Sequence, residues 1–203
     1  DWIEDQECGR SLGFDPYSTM EVKTCVAGMV RNDGLDTEAA PGEAVELVLE
    51  NTGFYVESGG QVADTGRIVG PDWEVRVEDV RRPLEGMVVH IGRVVRGHPR
   101  VGDPVLAQVD IERRRDIMRN HTATHLLHRA LRDVLGSHVA QAGSLVSPER
   151  LRFDYNHEKP LTDEQREEIE RRVVEAILAN YEVNARQEAY RDALAQGVTA
   201  LFG

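Results

Sequence analysis

The sequence predicts an α+β fold, a small antiparallel β-barrel followed by a region of helices and one hairpin. Three observations predict it. Residues 21–110 break into short apolar runs between turn signals, the pattern of antiparallel strands at close spacing. Residues 116–135 then place apolar side chains three and four apart, the period of a helix. Two more short runs and a second long helical pattern follow Gly136.

Residues 1–20 mix Gly, Pro, Asp and Ser with little periodicity and read as a linker or the end of a preceding domain. Strand-like runs occupy 45–49, 74–77, 87–91 and 105–109. Asn32-Asp33-Gly34, Pro41-Gly42, Asp64-Thr65-Gly66, Gly70-Pro71, Glu85-Gly86 and Gly102-Asp103 read as turns between strands. Closing these strands into a barrel leaves few open edges. In the first helix, Ile117, His121, Leu127, Ala130, Leu131 and Val134 share the helical period, and Gly136 stops it. Runs 139–146 and 151–155 form a hairpin around a Ser-Pro turn. Thr162 and Gln165 fit a capping box, in which hydroxyl and amide satisfy each other's backbone N–H groups. Ile169, Val173, Ala176 and Ile177 supply that helix's apolar stripe, and a third short helix is expected over 186–196. The expected domains are a linker over 1–20, a barrel over 21–115, and a helix–hairpin–helix region over 116–203.

Composition narrows the function. With 40% hydrophobic and 30% charged residues, the chain has the makeup of a soluble globular protein. No apolar run approaches a membrane span, so no membrane partner is expected. The chain opens on Asp1, so its ends are expected to be those of a processed or cut polypeptide. Cys8 and Cys25 have neither knuckle nor scaffold spacing and read as ordinary thiols of a reducing cytoplasm. A net charge of −12 argues against a non-specific nucleic-acid coat, and no DNA partner is expected. Yet Arg93, Arg96, Arg100, Arg113, Arg114, Arg115 and Arg119 concentrate mid-chain. They read either as a solvated charged surface or as a local basic face for one structured RNA.

Three stretches could carry chemistry. In His121-Thr122-Ala123-Thr124-His125, imidazoles four apart share one helix face and can ligate one zinc ion. Two ligands are not a site, and many helices carry such a pair without metal. His128 is either a third ligand or a surface or capping histidine. The pair lacks the glutamate of a zinc protease. In Glu57-Ser58-Gly59-Gly60-Gln61, adjacent glycines make a tight turn or bulge, or let backbone approach a ligand. Their spacing fits neither a P-loop nor a dinucleotide fingerprint, so no ATP site is expected in this chain. Gln141 either faces solvent or hydrogen-bonds a substrate amine or water from the strand after the histidine helix. No nucleophile elbow surrounds Ser58 or Ser144.

Taken together and in order, these stretches resemble the alanyl-tRNA synthetases and their free-standing editing relatives. The resemblance is carried by Phe54-Tyr55-Val56-Glu57-Ser58-Gly59-Gly60-Gln61-Val62-Ala63-Asp64-Thr65-Gly66 and by Asn120-His121-Thr122-Ala123-Thr124-His125-Leu126-Leu127-His128. Val139-Ala140-Gln141-Ala142-Gly143-Ser144-Leu145-Val146, Leu151-Arg152-Phe153-Asp154 and Ala200-Leu201-Phe202-Gly203 extend it over residues 15–203. It implies a translation-factor-like barrel followed by an α+β editing core related to that of threonyl-tRNA synthetase. It also implies zinc-dependent hydrolysis of serine or glycine esterified to the tRNA specific for alanine, within a cytoplasmic ligase. Such a second site answers a physical limit, because one missing methyl is worth only about 1–3 kcal/mol of discrimination.

By resemblance, His121 and His125 hold zinc, Thr124 contacts the amino-acid hydroxyl or orders a water, and Gln141 lines the amino-acid pocket. Glu57, Gly59, Gly60 and Gln61 meet the substrate or the tRNA end. The remaining zinc ligands of the family lie in a Cys-x-x-x-His stretch after Leu-Phe-Gly, and ATP belongs to an aminoacylation domain absent from this sequence. The isolated chain is therefore expected to edit weakly or not at all. A non-catalytic tRNA-binding or assembly module and a free-standing editing hydrolase are the alternatives. Oligomeric state is not legible in the sequence.

Overall fold

The structure, a computed structural model, describes residues 12–32, 34–182 and 188–196. It divides into two compact units, residues 1–120 with 145–150, and residues 121–144 with 151–203. The division falls within helix α1 (Ile111–Leu135) and within strand β10 (Gln141–Val146).

The first unit is a closed antiparallel barrel. Its strands are β2 (Glu21–Arg31), β4 (Ala44–Leu49), β6 (Gly66–Val69), β7 (Glu74–Leu84), β8 (Met87–Arg96) and β9 (Pro104–Val109). They pair in the order β2-β4-β8-β7-β6-β9, and β9 returns to β2. Strand β2 closes the ring because it serves two neighbours. Residues Glu21 to Cys25 pair with β9, and Val26 to Val30 pair with β4 across a register shift between Val26 and Gly28. A bulge of this kind bends a strand and lets a sheet curl. Strand β3 (Gly34–Asp36) folds back on the end of β2.

Residues 12–20, read as linker in sequence, carry β1 (Gly13–Phe14), which pairs in parallel with β5 (Asn51–Thr52). Gly42, Gly86 and Gly102 take positive φ, as their turn positions imply. Asp64-Thr65-Gly66 is not a turn; it leads straight into β6, and Asp64 is 1% exposed.

Alternation sets the core. Strand β9 buries Val105, Ala107 and Val109, and β4 buries Val45, Leu47 and Leu49. With Phe54, Ile68, Trp73, Val75 and Val77 they fill the barrel. Each of the valines, leucines, isoleucine and phenylalanine among them contributes about 1.5–3 kcal/mol on leaving water. One polar chain crosses this interior. The Phe54 N–H donates to the Thr52 hydroxyl oxygen at 3.2 Å, and Thr52 Oγ1 lies 2.8 Å from His90 Nε2. His90 Nδ1 lies 3.1 Å from the Leu47 carbonyl. A carbonyl only accepts, so Nδ1 carries the proton and Nε2 accepts from Thr52. Complete burial holds the His90 pKa down at about 4.

Cys25 is fully buried and disulfide-bonded. This corrects its reading as an ordinary thiol; the other cysteine, Cys8, lies outside the described residues. A bonded sulfur offers no thiolate for metal or nucleophilic chemistry.

Helix α1 (Ile111–Leu135) begins five residues before the expected 116. Asp110 caps it, accepting from the Arg113 N–H at 3.1 Å. It ends at Gly136, with φ of 117°. In the second unit, Leu127, Ala130, Leu131 and Val134 of α1 pack with Val139, Phe153, Tyr155 and Ile169. Phe153 and Tyr155 come from strand β11 (Leu151–Tyr155), the partner of β10 (Gln141–Val146). Ile169 comes from α2 (Asp163–Ala179), whose capping box at Thr162 and Gln165 is formed in full.

The stripe expected on α2 is covered only in part: Ile169 is buried, but Ile177 is 54% exposed. The third helix, α3, runs Tyr190–Ala195; the start expected at 186 and the Ala200–Gly203 match lie outside the described residues. Among the described residues, no helix is long and apolar enough to cross a membrane.

Candidate functional site

The site residues expected from sequence fall into the two units. Glu57, Gly59, Gly60 and Gln61 lie in the barrel unit; His121, Thr124, His125 and Gln141 lie in the second.

The glycine loop is a tight turn, as its local sequence suggested. Ser58 and Gln61 exchange both backbone hydrogen bonds, at 3.2 and 3.0 Å. Gly59 and Gly60 between them have φ of 60° and 85°. Positive φ at both central positions is the primed type I geometry that glycine adopts without a Cβ clash. The turn is stitched to the end of β10: the Val146 N–H donates to the Gly60 carbonyl at 2.7 Å, and the Val62 N–H to the Val146 carbonyl at 3.1 Å. Gln61 is buried by this pairing, whereas Glu57 and Gly59 are exposed. The arrangement presents the tip of the turn outward on a fixed base.

What fixes that base is Asp64, which the sequence did not single out. Its carboxylate accepts from the Tyr55 N–H at 2.6 Å and from Arg114 Nε at 2.9 and 3.0 Å. The Arg114 guanidinium also donates to the carbonyls of Pro16 and Gly53, at 2.7 and 2.9 Å. Arg113 donates to the Ala63 carbonyl at 2.8 Å. Helix α1 thus clamps both flanks of the glycine loop. Arg114 is 6% exposed, so the mid-chain arginines do not all form one basic face. Arg100 and Arg119 are engaged by Glu38 and Asp116.

In the second unit, the imidazoles of His121 and His125 stack one helical turn apart, with centroids 5.0 Å apart and planes 28° apart. His121 is half-buried and His125 exposed. Desolvation, then the nearby His125, lowers the His121 pKa below its ordinary value. A neutral imidazole keeps a lone pair available to a metal. Thr124 is buried on the same helix at 5% exposure.

His128 is not on display beside the pair: it is 7% exposed and packs on Phe153 at 5.1 Å between ring centroids. Its Nε2 has no hydrogen-bond partner among the described residues. Gln141 is half-buried at the first position of β10. No group of three or more potential ligands is assembled among the described residues. The two imidazoles by themselves fall short of the four ligands that a tetrahedral zinc ion takes.

The family model described as tRNA synthetases class II (A) matches residues 5–113, more than half of the chain. The chain belongs to the alanyl-tRNA synthetase family. It is 52% identical over 190 residues to an alanine–tRNA ligase of Chloroflexus aurantiacus, covering 94% of this chain and 21% of that protein. An alanine–tRNA ligase of a Roseiflexus species is 53% identical over 190 residues, covering the same shares. One from a Chelativorans species is 45% identical over 202 residues, covering all of this chain and 23% of the relative. The chain thus spans about a fifth of the length of these relatives. The family model's match ends just inside α1, where the barrel ends.

Proposed function

We propose that this chain is the barrel and the first half of the editing core of an alanine–tRNA ligase, acting on tRNA specific for alanine that carries serine or glycine. The observation that carries the reading is the His121–His125 pair, stacked at 5.0 Å on one helix face. That geometry would supply two nitrogen ligands to zinc, and the others would come from outside the described residues. Zinc, when bound, supplies Lewis acidity for ester hydrolysis.

The chain's own residues would do the rest. Thr124, one residue from His125, would offer its hydroxyl to the misattached amino acid or to a water. Gln141 would offer amide donors and an acceptor to the amino-acid end. The outward tip at Glu57 and Gly59, with Gly60 and Gln61 as its fixed base, would meet the terminal nucleotides of the tRNA. An aminoacylation site with ATP would belong to other parts of the ligase.

The test has two arms. In the 203-residue chain, zinc titration followed by calorimetry is expected to show weak binding that His125→Ala abolishes. In the longer parent ligase, His125→Ala is expected to lower deacylation of serine-charged tRNA by at least about 100-fold, as losses of a transition-state contact do, with tRNA binding retained. Deacylation at the unaltered rate in that variant would remove the histidine pair from the chemistry and leave a tRNA-binding module.

A further inference from the structure

The barrel wall carries a row of arginines that sequence distance hides. Arg67 on β6 lies directly opposite Arg76 on β7, and Arg76 lies directly opposite Arg93 on β8. All three side chains are exposed. Directly opposed residues have Cβ atoms about 4.5–5.5 Å apart, so the row spans on the order of 10 Å. Like charges so placed destabilise a sheet.

Carboxylates relieve this row only through long ion pairs to Arg67 and Arg76. Glu74 lies 3.9 Å from Arg67, and Glu78 lies 3.9 Å from Arg76. Arg93 donates to the Gly42 carbonyl at 2.7 Å. By contrast, Arg31 on the same barrel sits 2.7 Å from Asp36 and 2.6 Å from Glu43. Arg96, one row along, shares Glu74 at 3.6 Å. Along β6, β7 and β8, Arg67, Arg76, Arg93 and Arg96 thus share Glu74 and Glu78, and the concavity beside Arg67 and Arg76 adds further carboxylates.

Gln108 continues the row on the far side of Arg67. A concavity of about 440 Å³ opens there against Arg67 and Arg76. Its carboxylates include Glu21, bonded by the Gln108 amide at 2.8 Å, Asp110, which caps α1, and Glu112.

We propose that Arg67, Arg76 and Arg93 form a phosphate-contacting surface that carries a strand of RNA across the barrel wall. A span of about 10 Å covers about three steps of about 3.4 Å, the per-strand rise of a DNA duplex, so the row reaches three to four successive phosphates of one strand. The chain's net charge of −12 repels polyanions elsewhere, so binding localises to the few under-neutralised cations. That the RNA is a tRNA rests on the editing reading; the phosphate contact itself does not.

The test measures binding of a short fluorescein-labelled RNA duplex by anisotropy between about 50 and 200 mM salt. The triple variant Arg67→Gln, Arg76→Gln, Arg93→Gln is expected to weaken binding at least about ten-fold at low salt. Its slope of log affinity on log salt should fall by about 2–3. The corresponding triple lysine variant is expected to keep the slope, because charge sets it. Arg31→Gln with Arg100→Gln, arginines that hold carboxylates, should leave it unchanged.

The urea midpoint of the glutamine variant should equal or exceed the parent's, since the like-charge row is relieved; if that variant fails to fold, Arg76→Gln alone should lower the slope by about 1. An unchanged slope, an equal fall in the Arg31 and Arg100 control, or no binding of the duplex by the unaltered chain would each overturn the proposal. Unaltered deacylation by the His125→Ala ligase together with an intact slope effect would overturn the editing reading and leave this one standing.

Discussion

Asp64 and Arg114 show how one buried pair can hold a loop in register. The carboxylate is 1% exposed and satisfied by Tyr55 N–H and Arg114, while the guanidinium spends its other donors on Pro16 and Gly53. Removing one partner strands the other in a low-dielectric interior. Asp64→Ala should therefore cost about 3–5 kcal/mol of unfolding free energy, measured by urea denaturation. A loss below about 1 kcal/mol would mean water reaches Arg114 and the clamp is not needed.

His90 gives a prediction of opposite kind. Its folded pKa of about 4 lies below the ordinary 6.5, so the unfolded chain binds the proton first as pH falls. Its contribution is complete above about pH 6.5 and is lost as pH drops towards 4, by roughly 3 kcal/mol at 1.36 kcal/mol per unit. Replacing it by Gln should flatten that limb of the stability curve; an unaltered limb would assign the acid sensitivity to carboxylates instead. None of Asp64, Arg114 and His90 is marked as structural by its sequence context. Asp64-Thr65-Gly66 looks like a turn and Arg114 like one of a charged run, because burial and long-range pairing leave no local signature.

At the scale of elements, the sequence was most informative where the signal is local. The capping box needs only Thr162 and Gln165, and both of its hydrogen bonds are present. Thr162→Ala should cost about 1 kcal/mol, read from the urea midpoint of the α2-containing unit, and Thr162→Asp should restore most of it. A null result for the alanine variant would show that packing of Ile169 alone sets where α2 begins.

The start of α1 was less legible. Asp110 caps it, but the polar stretch from Glu112 to Arg115 masked the first turn and moved the expected start to 116. The basic middle does not form one face because Arg114 is buried against Asp64, whereas the arginine row is hidden from the sequence by register. Neighbours along a strand point to opposite sides, whereas Arg67, Arg76 and Arg93 are brought together by registers between three strands. Register depends on the whole sheet.

For the whole molecule, the α+β class and the barrel-first order were visible because period changes sharply near residue 110. Closure of the barrel was expected from edge avoidance, and the return of β9 to β2 supplies it. The histidine pair was legible because helical spacing alone puts positions 121 and 125 on one face. The fate of His128 was not, since only the fold could show that it turns to Phe153 and away from solvent.

The β2–β9 seam has a consequence for synthesis on the ribosome. Glu21 meets its seam neighbour Gln108 across 87 positions of chain. At about 5–20 residues per second, β2 emerges roughly 4–17 seconds before β9 can cover it. During that interval the first half of β2 is an unpaired edge. The outward charges of Glu21 and Lys23 lie on that edge, the kind of side chain that deters a nascent strand from pairing with another chain.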